Sequence, residues 1–268
     1  MIRATLGLSK EPFLSDFSLL KAQQDIADIL HIQAQHGGLS VVLGEPGVGK
    51  TVLREHIEIL NEEKDCIVAS LSMTMHSYLQ IIGHLAHVLN IEVTLNTIEK
   101  ALIEHAQKYA QERKKFFILI DEAHLLAMNV LRKLRLLFDR FPKRYNLILL
   151  GQPSLMQSLS MTINEDLKSR ITFSARLLPL NEDDLQTHIL QQLEKVNLSA
   201  NTFDDNALEL ITRHVQGNLR LCRNLCYGAL LAACREGKKI VTTHHVNSVL
   251  IQPHWRTYDE LISMQIRK

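Results

Sequence analysis

The residues best suited to chemistry lie in one short run, Gly44-Glu45-Pro46-Gly47-Val48-Gly49-Lys50-Thr51, which satisfies G-x-x-x-x-G-K-[ST] in full. Its glycines let the backbone fold tightly, so that successive N–H groups converge on phosphate oxygens. The helix that follows adds the positive end of its dipole. Lys50 is expected to reach the β- and γ-phosphates of ATP, and the Thr51 hydroxyl to meet Mg²⁺. A second element, Phe116-Phe117-Ile118-Leu119-Ile120, runs straight into Asp121-Glu122. It has the form of a Walker B motif, an apolar strand that delivers two carboxylates where ligands of parallel sheets bind. Asp121 is expected to hold Mg²⁺ through water, and Glu122 to polarise the water for in-line attack on the γ-phosphate. The two elements together predict Mg²⁺-dependent ATP hydrolysis.

Such groups need a sheet to bring them level. Apolar runs at 39–43, 66–71, 116–120, 146–150 and 171–177 read as strands, and helical patterns occupy 51–60, 77–89, 97–113 and 128–141. Strands alternating with helices predict an α/β fold, a P-loop NTPase with a parallel sheet covered by helices on both faces. Beyond Pro179 the pattern turns all-helical, with helices at 182–196, 204–215 and 219–235 and a short one at 244–251. Asp204 and Asp205 suit the cap of the second. The expected organisation is a nucleotide-binding α/β domain over 1–179, a small helical domain over 180–252 and a tail over 253–268. The tail holds Trp255 and Tyr258 and reads equally as a docking segment or a packed terminal helix.

Bulk composition narrows the class. The 268 residues are 46% hydrophobic and 22% charged, which is globular composition with a core to bury. Lys and Arg total 30 against 29 Asp and Glu, so a nucleic-acid partner must be sought in local clusters rather than net charge. No apolar run approaches the roughly 18 residues that span a bilayer, and Met1–Lys10 lacks the apolar core of a signal peptide. A cytoplasmic protein without a membrane segment is expected. Cys66, Cys222, Cys226 and Cys234 form no C-x-x-C pair and read as buried, reduced thiols.

With these residues placed, the chain resembles the AAA+ ATPases of the ExeA/GspA type and the related transposition ATPases of the TniB, TnsC and MuB kind. The likeness rests on Leu6-Gly7-Leu8-Ser9-Lys10-Glu11-Pro12-Phe13, Asp121-Glu122-Ala123-His124, Leu149-Leu150-Gly151-Gln152-Pro153-Ser154-Leu155, Leu167-Lys168-Ser169-Arg170-Ile171 and Gly217-Asn218-Leu219-Arg220. The resemblance implies that Pro12 and Phe13 pack near the adenine and that Gln152 is sensor 1. It implies that Arg170 is an arginine finger donated to a neighbouring subunit, with Arg176 the second choice. It makes Arg220 sensor 2, although Leu219 stands where relatives carry proline. A finger given in trans implies a homo-oligomer, either a ring or a helical filament, that ATP assembles and hydrolysis loosens.

Three uses of such an ATPase fit the sequence. One is a regulator of transposition that coats double-stranded DNA and recruits a transposase. Its local support is Arg132, Lys133, Arg135, Lys143 and Arg144, in a basic segment suited to phosphate contact. The same segment reads as an amphipathic helix that packs Leu131, Leu134, Leu137, Phe138 and Phe141. The second is a secretion-accessory ATPase, although relatives of that kind continue into a membrane span and a wall-binding domain not found before Lys268. The third is a protein-remodelling switch without nucleic acid.

Overall fold

A computed structural model describes residues 2–13, 19–60, 65–71, 77–92, 94, 96–143, 145–252 and 255. The chain divides into two units, Ser18–Leu178 and Met1–Phe17 with Pro179–Lys268.

The first unit is built on five parallel strands in the order β2-β3-β4-β1-β5. They are β1 (Gly38–Gly44), β2 (Cys66–Leu71), β3 (Lys115–Ile120), β4 (Tyr145–Gly151) and β5 (Ile171–Leu177). The apolar run of β3 divides between two cores because successive side chains point to opposite faces. Phe116, Ile118 and Ile120 join one core, and Phe117 and Leu119 the other. Helices α4 (Tyr78–Val88), α5 (Ile98–Gln111), α6 (Met128–Phe138) and α7 (Pro153–Leu159) cover the first face. Helices α2 (Lys21–Gln33) and α3 (Lys50–Ile59) cover the second. The expected cover is incomplete at one edge: along β5, Thr172, Ser174 and Arg176 are exposed in alternation. A four-residue helix, α8 (Glu165–Lys168), precedes that strand.

The second unit is helical. It comprises α1 (Ile2–Leu6), α9 (Glu182–Glu194), α10 (Asp205–Val215), α11 (Leu219–Arg235) and α12 (Thr243–Leu250). Asp204 caps α10 as the sequence suggests, accepting from the Ala207 N–H, and Asn218 caps α11 by accepting from the Leu221 N–H. Residues 2–13 pack here and not with the α/β domain expected over 1–179. The cause is burial, since Ile2 and Phe13 lie in the core with Leu185, Phe203 and Leu225. Phe13 meets the Phe203 ring edge-on at 6.3 Å between centroids. Trp255 packs against the same core, while the rest of the expected tail lies outside the described residues.

Gly217 links α10 to α11, and its carbonyl accepts the Leu180 N–H at 3.3 Å. A Cβ there would lie 2.2 Å from the Leu180 carbonyl oxygen, and its φ is +77°, so only glycine fits. The four cysteines are buried, and none forms a disulfide.

His188 on α9 is 6% exposed, and burial, helped by Lys195, pushes its imidazole from 6.5 down to about 4. Its folded value lies below its unfolded one, so stability is intact above pH 6.5 and drains as the pH falls toward 4. Between pH 7 and pH 5 this group alone should remove about 2 kcal/mol. In urea unfolding, His188→Leu is expected to flatten that acid-side loss by the same amount.

Candidate functional site

The glycine-rich loop leaves β1 at Gly44 and enters α3 at Lys50. Gly47 and Gly49 hold φ of +86° and +99°, a left-handed backbone that side-chain-bearing residues resist. The Lys50 side chain crosses beneath the loop and donates to the carbonyls of Gly44 at 2.7 Å and Glu45 at 3.1 Å. Lys50 is 6% exposed, so its charge is fixed inside the cradle. Thr51 is half-buried in the first turn of α3.

Register sets the other groups level with this loop. Leu43 of β1 faces Gly151 of β4, and Leu149 of β4 faces Ile120 of β3. Since β4 lies between β1 and β3, Gln152 emerges between the loop and the acidic pair. Gln152 is the N-cap residue of α7 but its side chain makes no capping bond. Asp121 continues the β3 ladder by donating its N–H to the Leu71 carbonyl. One carboxylate oxygen of Asp121 accepts the Glu122 N–H at 2.8 Å. The other lies 3.2 Å from Arg54 Nη1 on α3.

Glu122 has a φ of +52°. Phe13 shares this sign in a turn, and Asn90, Arg113, Asn197 and Gln216 share it just after helix ends, where such turns are common. Glu122 instead follows a strand, and backbone strain at such a position is a mark of functional placement. Its carboxylate is 44% exposed and lies 3.6 Å from His124 Nδ1. That nitrogen is buried without a hydrogen bond.

Residues 32–159 match the family model described as an AAA domain. The fold is that of a P-loop ATPase of the AAA+ type.

The chain is 29% identical over 212 residues to general secretion pathway protein A of Aeromonas hydrophila, an alignment covering 76% of this chain and 39% of that protein. The chain thus spans about two fifths of the length of the curated relative it matches. Its fold is that of the Aeropyrum pernix ORC2 protein, solved as ADPNP-ADP complexes (TM-score 0.70, 16% identity, 92% of this chain and 74% of that one). It is also that of the Aeropyrum pernix ORC1 protein in complex with DNA (TM-score 0.66, 14% identity, 88% and 67%).

Outside the loop and the strand ends, the expected site residues fall as follows. Arg170 is exposed, 3.9 Å from Asp139. Arg176 is exposed on β5. Arg220 is exposed on α11 in the helical unit, whose start Asn218 caps. Leu219 is the first residue of α11, the helical position that proline favours and leucine also accepts, so this departure from relatives leaves the helix start intact. Phe13 turns its ring into the helical core and offers no open stacking face, and Pro12 is buried beside it.

The basic segment expected to meet DNA is largely engaged within the unit. Arg132 donates to the Ile163 carbonyl and to Asn164 Oδ1, and lies near Asp166. Arg135 binds Asp139 and Asp166, each at 3.1 Å. Lys133 lies over the Tyr78 ring at 5.9 Å. Lys143 is exposed, and Arg144 lies outside the described residues. Helix α6 thus does the packing expected of it, with Leu131, Leu134, Leu137 and Phe138 in the core.

Two further residues belong to the site and carry no motif signal. Gln23 of α2, 1% exposed, donates to the Gly49 carbonyl at 3.2 Å and so braces the loop from behind. Arg54 meets Asp121 from across the site. Both act through contacts distant in sequence, which a linear pattern does not display.

Proposed function

We propose that this chain binds ATP with Mg²⁺ in the Gly44–Thr51 cradle, hydrolyses it, and uses nucleotide state to assemble with copies of itself. The observation that carries the reading is the meeting of the Lys50 loop, Asp121, Glu122 and Gln152 at the level ends of β1, β3 and β4. The donor set fits Mg²⁺. Thr51 and Arg54 lie three residues apart on one face of α3, and Arg54 touches Asp121, so the hydroxyl and the carboxylate border one space. Both are hard oxygen donors, the kind Mg²⁺ takes alongside phosphate oxygens and water. Bound Mg²⁺ would supply neutralisation of the phosphate charge. Lys50 would hold the β- and γ-phosphates, Glu122 would orient water, and Gln152 would sense the γ-phosphate.

Assembly rests on Arg170. Arg132 donates to the carbonyl of Ile163 and Leu136 lies one turn further along α6. Leu136, Met161 and Ile163 are 57%, 57% and 76% exposed. Arg170 reaches Asp139 at the end of the same helix. An arginine beside exposed apolar side chains suits a face that a second copy covers.

Of the possible uses, a secretion-type role is favoured by the curated relative, and by the internal engagement of Arg132, Lys133 and Arg135. Assembly on double-stranded DNA, with a transposase as partner, is the second reading. It draws on the fold shared with a protein solved in complex with DNA and on exposed Lys143. The deciding measurement is ATP turnover and oligomer size with and without double-stranded DNA, at low and high salt. Turnover indifferent to DNA is expected. Stimulation that fades steeply with salt would sink the preference and promote the DNA reading.

A further inference from the structure

Both oxygens of the Asp121 carboxylate already have donors. The Glu122 N–H is backbone and cannot leave without breaking the turn. The Arg54 guanidinium can leave, because it has other acids on its own helix. Its Nε is 3.2 Å from Glu58 Oε1 and its Nη2 is 3.8 Å from Glu55 Oε1. The burial is uneven: Asp121 and Arg54 side chains are 8% and 14% exposed, while Glu58 and Glu55 are 36% and 57% exposed. Arg54 therefore bridges an enclosed carboxylate and two solvent-facing ones. The position is specific to the site, one helical turn beyond Thr51.

We infer that Arg54 is the resident counter-ion of Asp121 and sets the affinity of the site for its divalent metal. The inference rests on the reading of Asp121 as the metal-side carboxylate. Without metal, Arg54 neutralises a carboxylate that would otherwise be buried and charged, a costly state. A divalent cation approaching Asp121 meets a fixed positive charge and must turn the guanidinium toward Glu55 and Glu58. Arg54 thus makes the empty site stable and metal entry weaker than the donor set alone would allow. Through Mg²⁺, the same contact ties nucleotide binding to a movement at the start of α3.

The test measures ADP affinity by calorimetry over a Mg²⁺ series, and reads the Mg²⁺ concentration at which the affinity gain is half complete. Arg54→Met keeps the aliphatic stem and removes the charge. It is expected to lower that midpoint about tenfold, the scale of one unit charge facing a dication across several ångströms of hydrated space. Arg54→Gln, which retains a donor for Asp121, should do the same, and Arg54→Lys should stay near the parent value. A midpoint that is unchanged or raised in both neutral variants overturns the inference, a rise meaning that Arg54 only braces Asp121. Asp121→Asn separates the two levels. It should abolish the Mg²⁺ dependence of ADP binding. If the dependence survives, Asp121 is not the metal-side carboxylate and the parent reading falls with it. Matching thermal transitions identify the variants that remain folded.

Discussion

Glu122→Gln is expected to bind ATP as the parent does and to lose about a hundred- to ten-thousand-fold in turnover, the range that a positioned general base contributes. The substitution keeps the size of the side chain and its hydrogen-bonding ends. It removes only the basic oxygen that would draw the proton from water. The surroundings of Glu122 fit such a task. Its backbone lies in the left-handed region at φ +52°, a conformation that costs of order 1–3 kcal/mol for a non-glycine residue. Its N–H is tied to Asp121 and its carboxylate is 3.6 Å from a buried ring nitrogen of His124. A solvated acid at the end of a strand would need neither the strain nor the histidine. Phosphate release under saturating ATP, together with binding of a fluorescent ATP analogue, separates the two steps. Full turnover in the variant would remove Glu122 from the role.

The parts of this site that can be read from sequence are those made by consecutive residues. The run Gly44–Thr51 is a local device, since its glycine conformations and the start of α3 at Lys50 follow from neighbours in the chain. Strand β3 is legible for the same reason: its apolar run must be buried on two faces, and Asp121 must then stand where burial ends. The strands at Cys66–Leu71 and Ile171–Leu177 and the helix at Leu219–Arg235 have the bounds that period and caps suggest. What the sequence hides is which distant partner a side chain takes. Arg132 and Arg135 read as a basic face because their partners Asn164 and Asp166 lie 32 and 31 positions further along the chain. Phe13 reads as part of the α/β domain by its place in the chain, yet its ring is buried against Phe203. Helix α2 gives little warning too, since it opens without a side-chain cap other than Gln23, whose amide is shared between the Leu20 N–H and the Gly49 carbonyl.

Arg170→Ala and Lys50→Ala are each expected to reduce turnover by a thousandfold or more, and a mixture of the two inactive proteins to regain activity. An arginine finger accounts for about 10³–10⁵ in phosphoryl transfer, and the loss of Lys50 removes the buried charge from the phosphate cradle. The mixture decides where the finger comes from. If Arg170 serves a neighbour, a Lys50→Ala subunit still donates its arginine, and an Arg170→Ala subunit still offers a complete loop. In a random one-to-one assembly of head-to-tail contacts, about a quarter of the interfaces then hold both groups, and turnover should recover to about that share. If Arg170 acted within its own chain, no arrangement of the two would join a whole site and the mixture would stay inactive. Folding should not confuse the result, because the only ion pair of Arg170 found among the described residues is an exposed 3.9 Å contact to Asp139, worth at most about 1 kcal/mol. Should Arg170→Ala keep full turnover, Arg176 is the remaining candidate, and the same mixing experiment with Arg176→Ala applies. Recovery by mixing would make the ATP site a property of the assembly, and so make nucleotide binding and self-association one equilibrium.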